Sequence, residues 1–402
     1  MKSLDKKARA YALKNAIAYK GDAKMGSVIS SLFVEGLKKS DVKKYSKKIS
    51  EIVKEVNSLS FEEQKKEFES SKGEVSERKV REGLSELPNV GKKGVVMRFA
   101  PSASGPLHVG HIMTSSLSFL YKEKYGGKFY IRIEDTNPNN VEKEAYKMIQ
   151  RDSKWLFGDK IEIMIQSSRM ETYYKYAEKL IKNKSVYVCT CSTKEFEKYV
   201  EEKKDCPCRS NSSKENSERW KKMLDKSSKG FKEGEAVLRF KSVEGMKSRN
   251  PAMRDFPLAR INLTKHPLQK NKYKVWPLMN LAVITDDIET KITHVIRAKD
   301  HRDNAKKQNM IYNSLKKKFP WTGFLGKFKF KELDLSTTKM KEGIKEGKFS
   351  GWDDKNLPTV ISLKKQGYKP QAFHKFAEQI GLSEADKVME RKEFFFLLNS
   401  FK

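Results

Sequence analysis

GVVMRFAPSASGPLHVGHIMTSSLSFLYKEKYGGKFYIRIEDT, residues 94–136, decides the fold. GVVMRFA (94–100) is a short buried-strand candidate, PSASG (101–105) a turn of small residues, and from Pro106 the pattern becomes helical through LHVGHIMTSSLSFLYKEKY, with proline suited to a first helical turn. KFYIRIEDT (128–136) is a second strand and VEKEAYKMIQRDSKWLF (141–157) a second helix. Strand–helix–strand–helix at this spacing predicts a parallel α/β sheet. Residues 93–185 therefore read as the first half of an α/β domain. Residues 186–275 break the rhythm with a cysteine cluster, a polar run and one strand, EAVLRF (235–240), and read as an insertion. The rhythm returns over 276–334, through VWPLMNLAVITDD and KITHVIRAKD. Residues 335–402 read as mostly helical, with LSTTKM (335–340) and GWDD (351–354) in connecting loops. On the other side, residues 1–92 form a helical extension. Apolar residues recur every three or four positions through YALKNAIAYK and VKKYSKKISEIVKEVNSL, Ser60 is a helix N-cap before FEEQKKEF, and 71–92 read as a linker.

The 402 residues carry 84 Lys and Arg against 52 Asp and Glu, a net charge of +32. Residues 91–335 hold 51 basic and 29 acidic side chains, so +22 of that surplus falls in the middle. A folded region that basic suits a polyanion, RNA or DNA first, although general solubility would also raise the count. The 22 Phe, 15 Tyr and 5 Trp supply enough apolar material for packed cores. The longest apolar run, FFFLL (394–398), is too short to span a bilayer, and MKSLDKKARAYALKNA carries no signal-peptide core. The expectation is a soluble, cytoplasmic protein with no membrane partner.

Two features carry chemistry. In PSASGPLHVGH (101–111) a buried strand turns into a helix whose start holds His108, Gly110 and His111. Residues three apart share one helix face, so both imidazoles can meet a ligand where free N–H groups and the helix dipole favour phosphate. Ser102, Ala103, Ser104, Gly105 and Gly110 let a nucleotide approach the backbone. GDAKMGS (21–27) resembles a phosphate loop, but Ser27 stands where the lysine is required and no strand precedes it, which rejects that reading. The second feature is Cys189–Thr–Cys191, fourteen residues, then Cys206–Pro–Cys208. Four thiolates in two close pairs suit structural tetrahedral zinc, leaving no open position for water.

RFAPSASGPLHVGH resembles the HIGH signature of class I aminoacyl-tRNA synthetases, and the wider stretch resembles glutamyl-tRNA synthetases of archaeal type. The likeness extends over KFYIRIEDTNP (128–138), SVYVCTCSTKEF (185–196), KYKVWPLMNLAVITDDIE (272–289), ITHVIRAKDH (292–301) and LSTTKMKEGIKEGKFSGWDD (335–354), in the family's order. It implies a Rossmann-like parallel-sheet domain split by a zinc-bearing insertion that grips the tRNA acceptor stem. It also implies ATP-dependent ligation of L-glutamate to tRNA(Glu) through glutamyl-adenylate, with AMP and pyrophosphate released and Mg²⁺ accompanying ATP. Neither step needs an enzyme nucleophile, so catalysis is positioning and stabilisation of charge on phosphate.

By the same resemblance, His108 and His111 contact ATP and steady the transition state. Ser102, Gly110, Asp300 and Lys339 complete the ATP site, with Lys339 the catalytic lysine of LSTTKM. Arg98, Ala100, Ser102, Glu134, Trp276, Asn280 and Arg297 form the glutamate site, Glu134 taking the α-ammonium and Arg297 the side-chain carboxylate. Read without the family, Arg297 is first a structural ion-pair partner, of Asp286 or Asp287 for instance. Lys203, Lys204, Arg209, Lys214, Arg219, Lys221 and Lys222 suit phosphate contact near the cysteines.

The sequence departs from the pattern in two places. Thr337 stands at the central lysine position of the KMSKS-like loop, leaving Lys339 and Lys341 as its nearest cations. The anticodon-binding β-barrels that follow GWDD in family members are missing here, so the expectation is that they form a separate chain or were removed. Three rival readings stay open: a glutaminyl-tRNA synthetase, a glutamyl-transferring paralogue that modifies a tRNA base, and a non-enzymatic RNA-binding module.

Overall fold

The computed structural model describes residues 2–76, 83–332 and 335–401, so part of the expected 71–92 linker lies outside the described residues. The chain forms two compact units, Met1–Arg81 and Glu82–Lys402. In the first, α1 (Lys2–Ala18), α2 (Met25–Val34), α3 (Val42–Ser58) and α4 (Phe61–Ser71) bury Leu13, Leu32, Ile52 and Val56. Ser60 caps α4 as expected. Its Oγ accepts from Glu63 N at 3.3 Å and the Glu63 carboxylate accepts from Ser60 N at 2.8 Å, a reciprocal capping box.

The second unit opens with β1 (Val95–Phe99), α5 (Val109–Tyr125), β2 (Gly127–Ile133), α6 (Ala145–Phe157) and β3 (Glu162–Ile165). The three strands pair in parallel, Met97 opposite Phe129 and Ile131 opposite Ile163. α7 (Met170–Lys182) leads into the insertion: β4 (Val186–Cys189), α8 (Thr193–Glu202), α9 (Ser213–Leu224), β5 (Val237–Phe240), β6 (Pro257–Ile261) and β7 (Val275–Pro277). Its four strands make one antiparallel sheet in chain order. That sheet reaches Pro277, with Trp276 opposite Arg260 of β6.

α10 (Met279–Glu289), β8 (His294–Ala298), α11 (Arg302–Ser314) and β9 (Trp321–Leu325) complete the α/β rhythm, β8 and β9 pairing in parallel. Thr293 joins β8 to β1, its N–H donating to Val96 O and its Oγ1 accepting from Val96 N, each at 2.9 Å. The three-stranded sheet β3-β2-β1 and the two-stranded sheet β8-β9 thus meet edge to edge at β1 and β8. Direction along the sheet reverses between β1 and β8, which opens a crevice at their carboxyl ends. Beyond lie β10 (Phe328–Phe330), α12 (Thr337–Lys345), α13 (Val360–Lys365), α14 (Pro370–Ile380), β11 (Lys387–Met389) and α15 (Arg391–Asn399). The period of two along the strands sorts their faces. Val95, Met97, Phe99, Phe129, Ile131 and Ile133 join the core with Ile112, Leu117 and Phe373, whereas Arg98 and Arg132 lie on the opposite face.

The expected helix from Pro106 begins later, at Val109, with His108 as its N-cap in extended conformation, φ −138°. His108 is held extended by neighbours opposite Thr359: Val109 N donates to Pro358 O at 2.9 Å, and Leu107 O accepts from Val360 N at 2.8 Å. The LSTTKM stretch also differs from the expected loop, because α12 starts inside it at Thr337 with Ser336 as cap. GWDD is irregular, as expected.

Candidate active site

Three arginines occupy equivalent positions, each the penultimate residue of its strand: Arg98 in β1, Arg132 in β2 and Arg297 in β8. All are buried, at 6%, 1% and 7% exposure. Three guanidiniums in so small a space need anions, and α10 supplies two. Asp287 accepts from Arg132 Nη1 at 2.5 Å and from Arg98 Nε and Nη2 at 3.4 and 3.5 Å. Asp286 lies 4.0 Å from Arg132 Nε but gives its hydrogen bonds elsewhere, accepting from Arg169 Nε at 2.8 Å, Gln166 Nε2 at 2.9 Å and Tyr173 OH at 2.9 Å. Burial alone would raise the Asp287 pKa, but the Arg98 and Arg132 charges hold it below the usual carboxylate range.

Arg297 is left over. Among the described residues no carboxylate lies within ion-pair distance of it, so the ion-pair reading with Asp286 or Asp287 fails, both acids being occupied elsewhere. Its Nη1 donates to Gln308 Oε1 at 2.9 Å, and its buried Nε has no partner. Burial, then repulsion from Arg98, lowers its pKa to about 10, which leaves it cationic at neutral pH. Glu134, just past β2, has a side chain 25% exposed and accepts from Arg132 Nη2 at 3.1 Å. Its backbone bridges to Ser102, whose residue is exposed after the half-buried Ala100. Asn280, 8% exposed on α10, accepts from Gln308 Nε2 at 3.1 Å. Trp276 is 1% exposed, stacked on His266 at 4.9 Å, with its Nε1 unpartnered.

The imidazoles meet at the start of α5, ring centroids 3.8 Å apart. His108 Nδ1 accepts from Gly110 N at 3.1 Å and His111 Nδ1 accepts from His108 N at 3.3 Å. Each neutral ring therefore carries its proton on Nε2 and can donate there. Burial pushes His108 down to about 4, and burial together with His108 holds His111 well below the usual imidazole value, so neither competes as a cation with the positive helix end. Over them lies the start of α12. A Cβ on Gly110 would sit 3.0 Å from His108 Cε1 and 3.1 Å from Leu335 Cδ1, and one on Gly105 only 2.7 Å from Thr337 Cγ2. Lys339 is exposed in the first turn of α12, while Lys341 pairs with Glu142. A cavity of about 260 Å³ adjoins α5, lined by Gly110, Met113, Ala298, Leu325, Lys327 and Phe328 among others. Asp300 stands outside this lining, paired with Lys327 at 3.2 Å. Arg132 and Gln308 were not singled out from the sequence, and Asp287 was named there only as an ion-pair partner for Arg297. Arg132 could have been, since it shares parity with Arg98 across the β1–β2 register.

The cysteines converge as expected. Their sulfurs lie within 4.8 Å of one another, with Cys191 to Cys206 at 3.2 Å, Cys189 to Cys206 at 3.6 Å and Cys191 to Cys208 at 3.9 Å. A tetrahedron with zinc–sulfur bonds of 2.3 Å has edges of about 3.8 Å, so the four thiols fit that ion. Burial pushes Cys191 up to about 11, a cost that a bound cation would offset. Two of the basic residues expected on phosphate face inward instead. Arg219 Nη1 lies 3.4 Å from Cys208 Sγ and also donates to Val188 O, while Arg209 Nε donates to the buried Asp255 at 2.8 Å. Lys203, Lys204, Lys214, Lys221 and Lys222 are exposed.

Comparison with known proteins agrees with this architecture. Residues 94–398 match the family model "tRNA synthetases class I (E and Q), catalytic domain". The chain is similar to the glutamate–tRNA ligases of Methanosphaera stadtmanae (40% identity, 96% of this chain and 68% of that one) and Methanothermobacter thermautotrophicus (41%, 97% and 70%). It is 41% identical to that of Methanocaldococcus jannaschii over 95% of this chain and 68% of the relative. Among solved structures, a glutamate tRNA ligase from Elizabethkingia meningosepticum shares the fold, at 20% identity and a TM-score of 0.53, over 75% of this chain and 68% of that one. With the HVGH turn, the switch-point crevice and this match in hand, the chain belongs to the class I tRNA synthetases of the glutamate and glutamine type.

Proposed function

We propose that the chain ligates L-glutamate to tRNA, using ATP and passing through glutamyl-adenylate. Arg297 carries the reading: a buried guanidinium that no acid of the described residues pairs demands an anion from its ligand. The side-chain carboxylate of glutamate supplies one, whereas the neutral amide of glutamine would leave the charge uncompensated, which argues against the glutaminyl alternative. Glu134 is the acceptor for the α-ammonium group. Asn280 contributes its amide, while Arg98, Ala100 and Ser102 shape the floor and Trp276 backs it from beneath.

The α-carboxylate attacks the α-phosphorus of ATP and pyrophosphate leaves. A ribose hydroxyl of the terminal adenosine then attacks the acyl carbon and AMP leaves. His108 and His111 donate from Nε2 to phosphate oxygens, with no proton exchanged. Gly110 admits the nucleotide, Lys339 meets the triphosphate and Asp300 the ribose side. Among the described residues the four cysteines are the one group of three or more His, Cys, Asp or Glu that could hold an ion, so Mg²⁺ would arrive bound to the triphosphate. Cys189, Cys191, Cys206 and Cys208 would hold structural zinc, bracing an insertion whose lysines meet the acceptor stem. No helix of the described residues is long and apolar enough to cross a membrane.

The test is charging with labelled glutamate. Arg297→Ala raises the glutamate KM tenfold to a hundredfold, about the worth of a lost charge-assisted hydrogen bond, and His111→Ala lowers kcat. Periodate-treated tRNA, whose terminal ribose is destroyed, accepts nothing; labelling that survives it would mean attachment to a base. Equal charging by both variants would refute the reading.

A further inference from the structure

Gln308 lies on α11, eleven residues after Arg297, and is 2% exposed. An arginine only donates, so the Gln308 carbonyl Oε1 must face Arg297 Nη1, at 2.9 Å. Its amide nitrogen must then face Asn280, donating to Oδ1 at 3.1 Å. Asn280 in turn points Nδ2 away from Gln308, towards Asn304 Oδ1 at 3.4 Å, and Asn304 Nδ2 meets His301 Nδ1 at 3.3 Å. One guanidinium thus fixes the direction of a chain of amides, none of which is free to flip without placing two donors face to face.

We infer that Gln308 is a positioning residue for amino-acid choice: it aims Arg297 and turns Asn280 so that both offer N–H groups, and no acceptor, to the ligand's side chain. This rests on the reading of Arg297 as the glutamate contact. A carboxylate accepts from both groups. A carboxamide must bring its own N–H₂ against donors, a mismatch that a polar site rejects strongly. Gln308 touches no substrate itself.

Exchanging one atom tests the device. In Gln308→Glu the new carboxylate pairs with Arg297 and accepts from Asn280, which flips and presents Oδ1 to the ligand. The glutamate KM in aminoacylation should rise at least about tenfold, and the preference for glutamate over glutamine should fall by a similar factor. The KM for ATP stays within about twofold, which loss of folding would not allow. Gln308→Met, which buries no new charge, should raise the glutamate KM without inverting Asn280, and carries the test if the glutamate variant does not fold by circular dichroism. Unchanged glutamate KM and selectivity in the folded variants would overturn the inference. If Arg297→Ala is also silent, the site reading itself has failed; if Arg297→Ala is impaired while the Gln308 variants are not, only the role of Gln308 has.

Discussion

Asp287 holds two guanidiniums at once; without it Arg98 would be a buried lone charge among the described residues, and Arg132 would keep only Glu134 and the more distant Asp286. Replacing it by asparagine keeps the shape and removes the anion. Breaking a buried pair from one side costs about 3–5 kcal/mol, because the surviving charge stays in the interior. Asp287→Asn should therefore lower the urea midpoint strongly, while Lys65→Ala, whose ion pair with Glu62 is exposed, should shift it by less than about 1 kcal/mol. Equal small effects would mean that water reaches the Arg98–Arg132 pair. At this scale the sequence was legible wherever a residue sits in a quoted motif, as Arg98, Glu134 and Arg297 do. It was not legible where pairing decides the role. Nothing in VITDDIE says that one aspartate turns to Arg98 and Arg132 and its neighbour to Arg169.

The start of α5 shows how an element's end sets its chemistry. Strand, turn and helix were readable from their periods. The late start was not, because it depends on Pro358 and Val360, some 250 residues away, holding the backbone around His108 extended. The consequence for pH follows from the lowered histidine values. His108 titrates near 4 in the folded protein and near 6.5 when unfolded, so the unfolded chain takes up the proton first as pH falls. Stability present above pH 6.5 is lost progressively towards pH 4, by about 1 kcal/mol at pH 5.5 from this group alone. Urea unfolding between pH 7.5 and 5 should show that slope, and His108→Gln should flatten it. A slope unchanged by the substitution would place the proton uptake elsewhere.

Across the molecule, the interrupted α/β rhythm and the cysteine cluster were legible, because each is a change of period or composition along the chain. The strand order was not. The two parallel sheets meet where Thr293 bonds to Val96, a contact that no local pattern announces. Charge lies between these cases: the surplus of +22 over residues 91–335 was countable, but which side chains face outward was not. Arg209 and Arg219 bind inward, so the lysines of the insertion are left to meet phosphate. A ligand held by six or more such contacts releases as many counterions, and its dissociation constant should weaken about a thousandfold between 50 and 200 mM salt. Filter binding of tRNA across that range checks it. Lys221→Ala with Lys222→Ala should flatten the log–log slope by about two, whereas Arg219→Ala should disturb the cysteine loop that it braces. A nearly salt-independent affinity would mean that shape and base contacts, rather than the basic surface, hold the RNA.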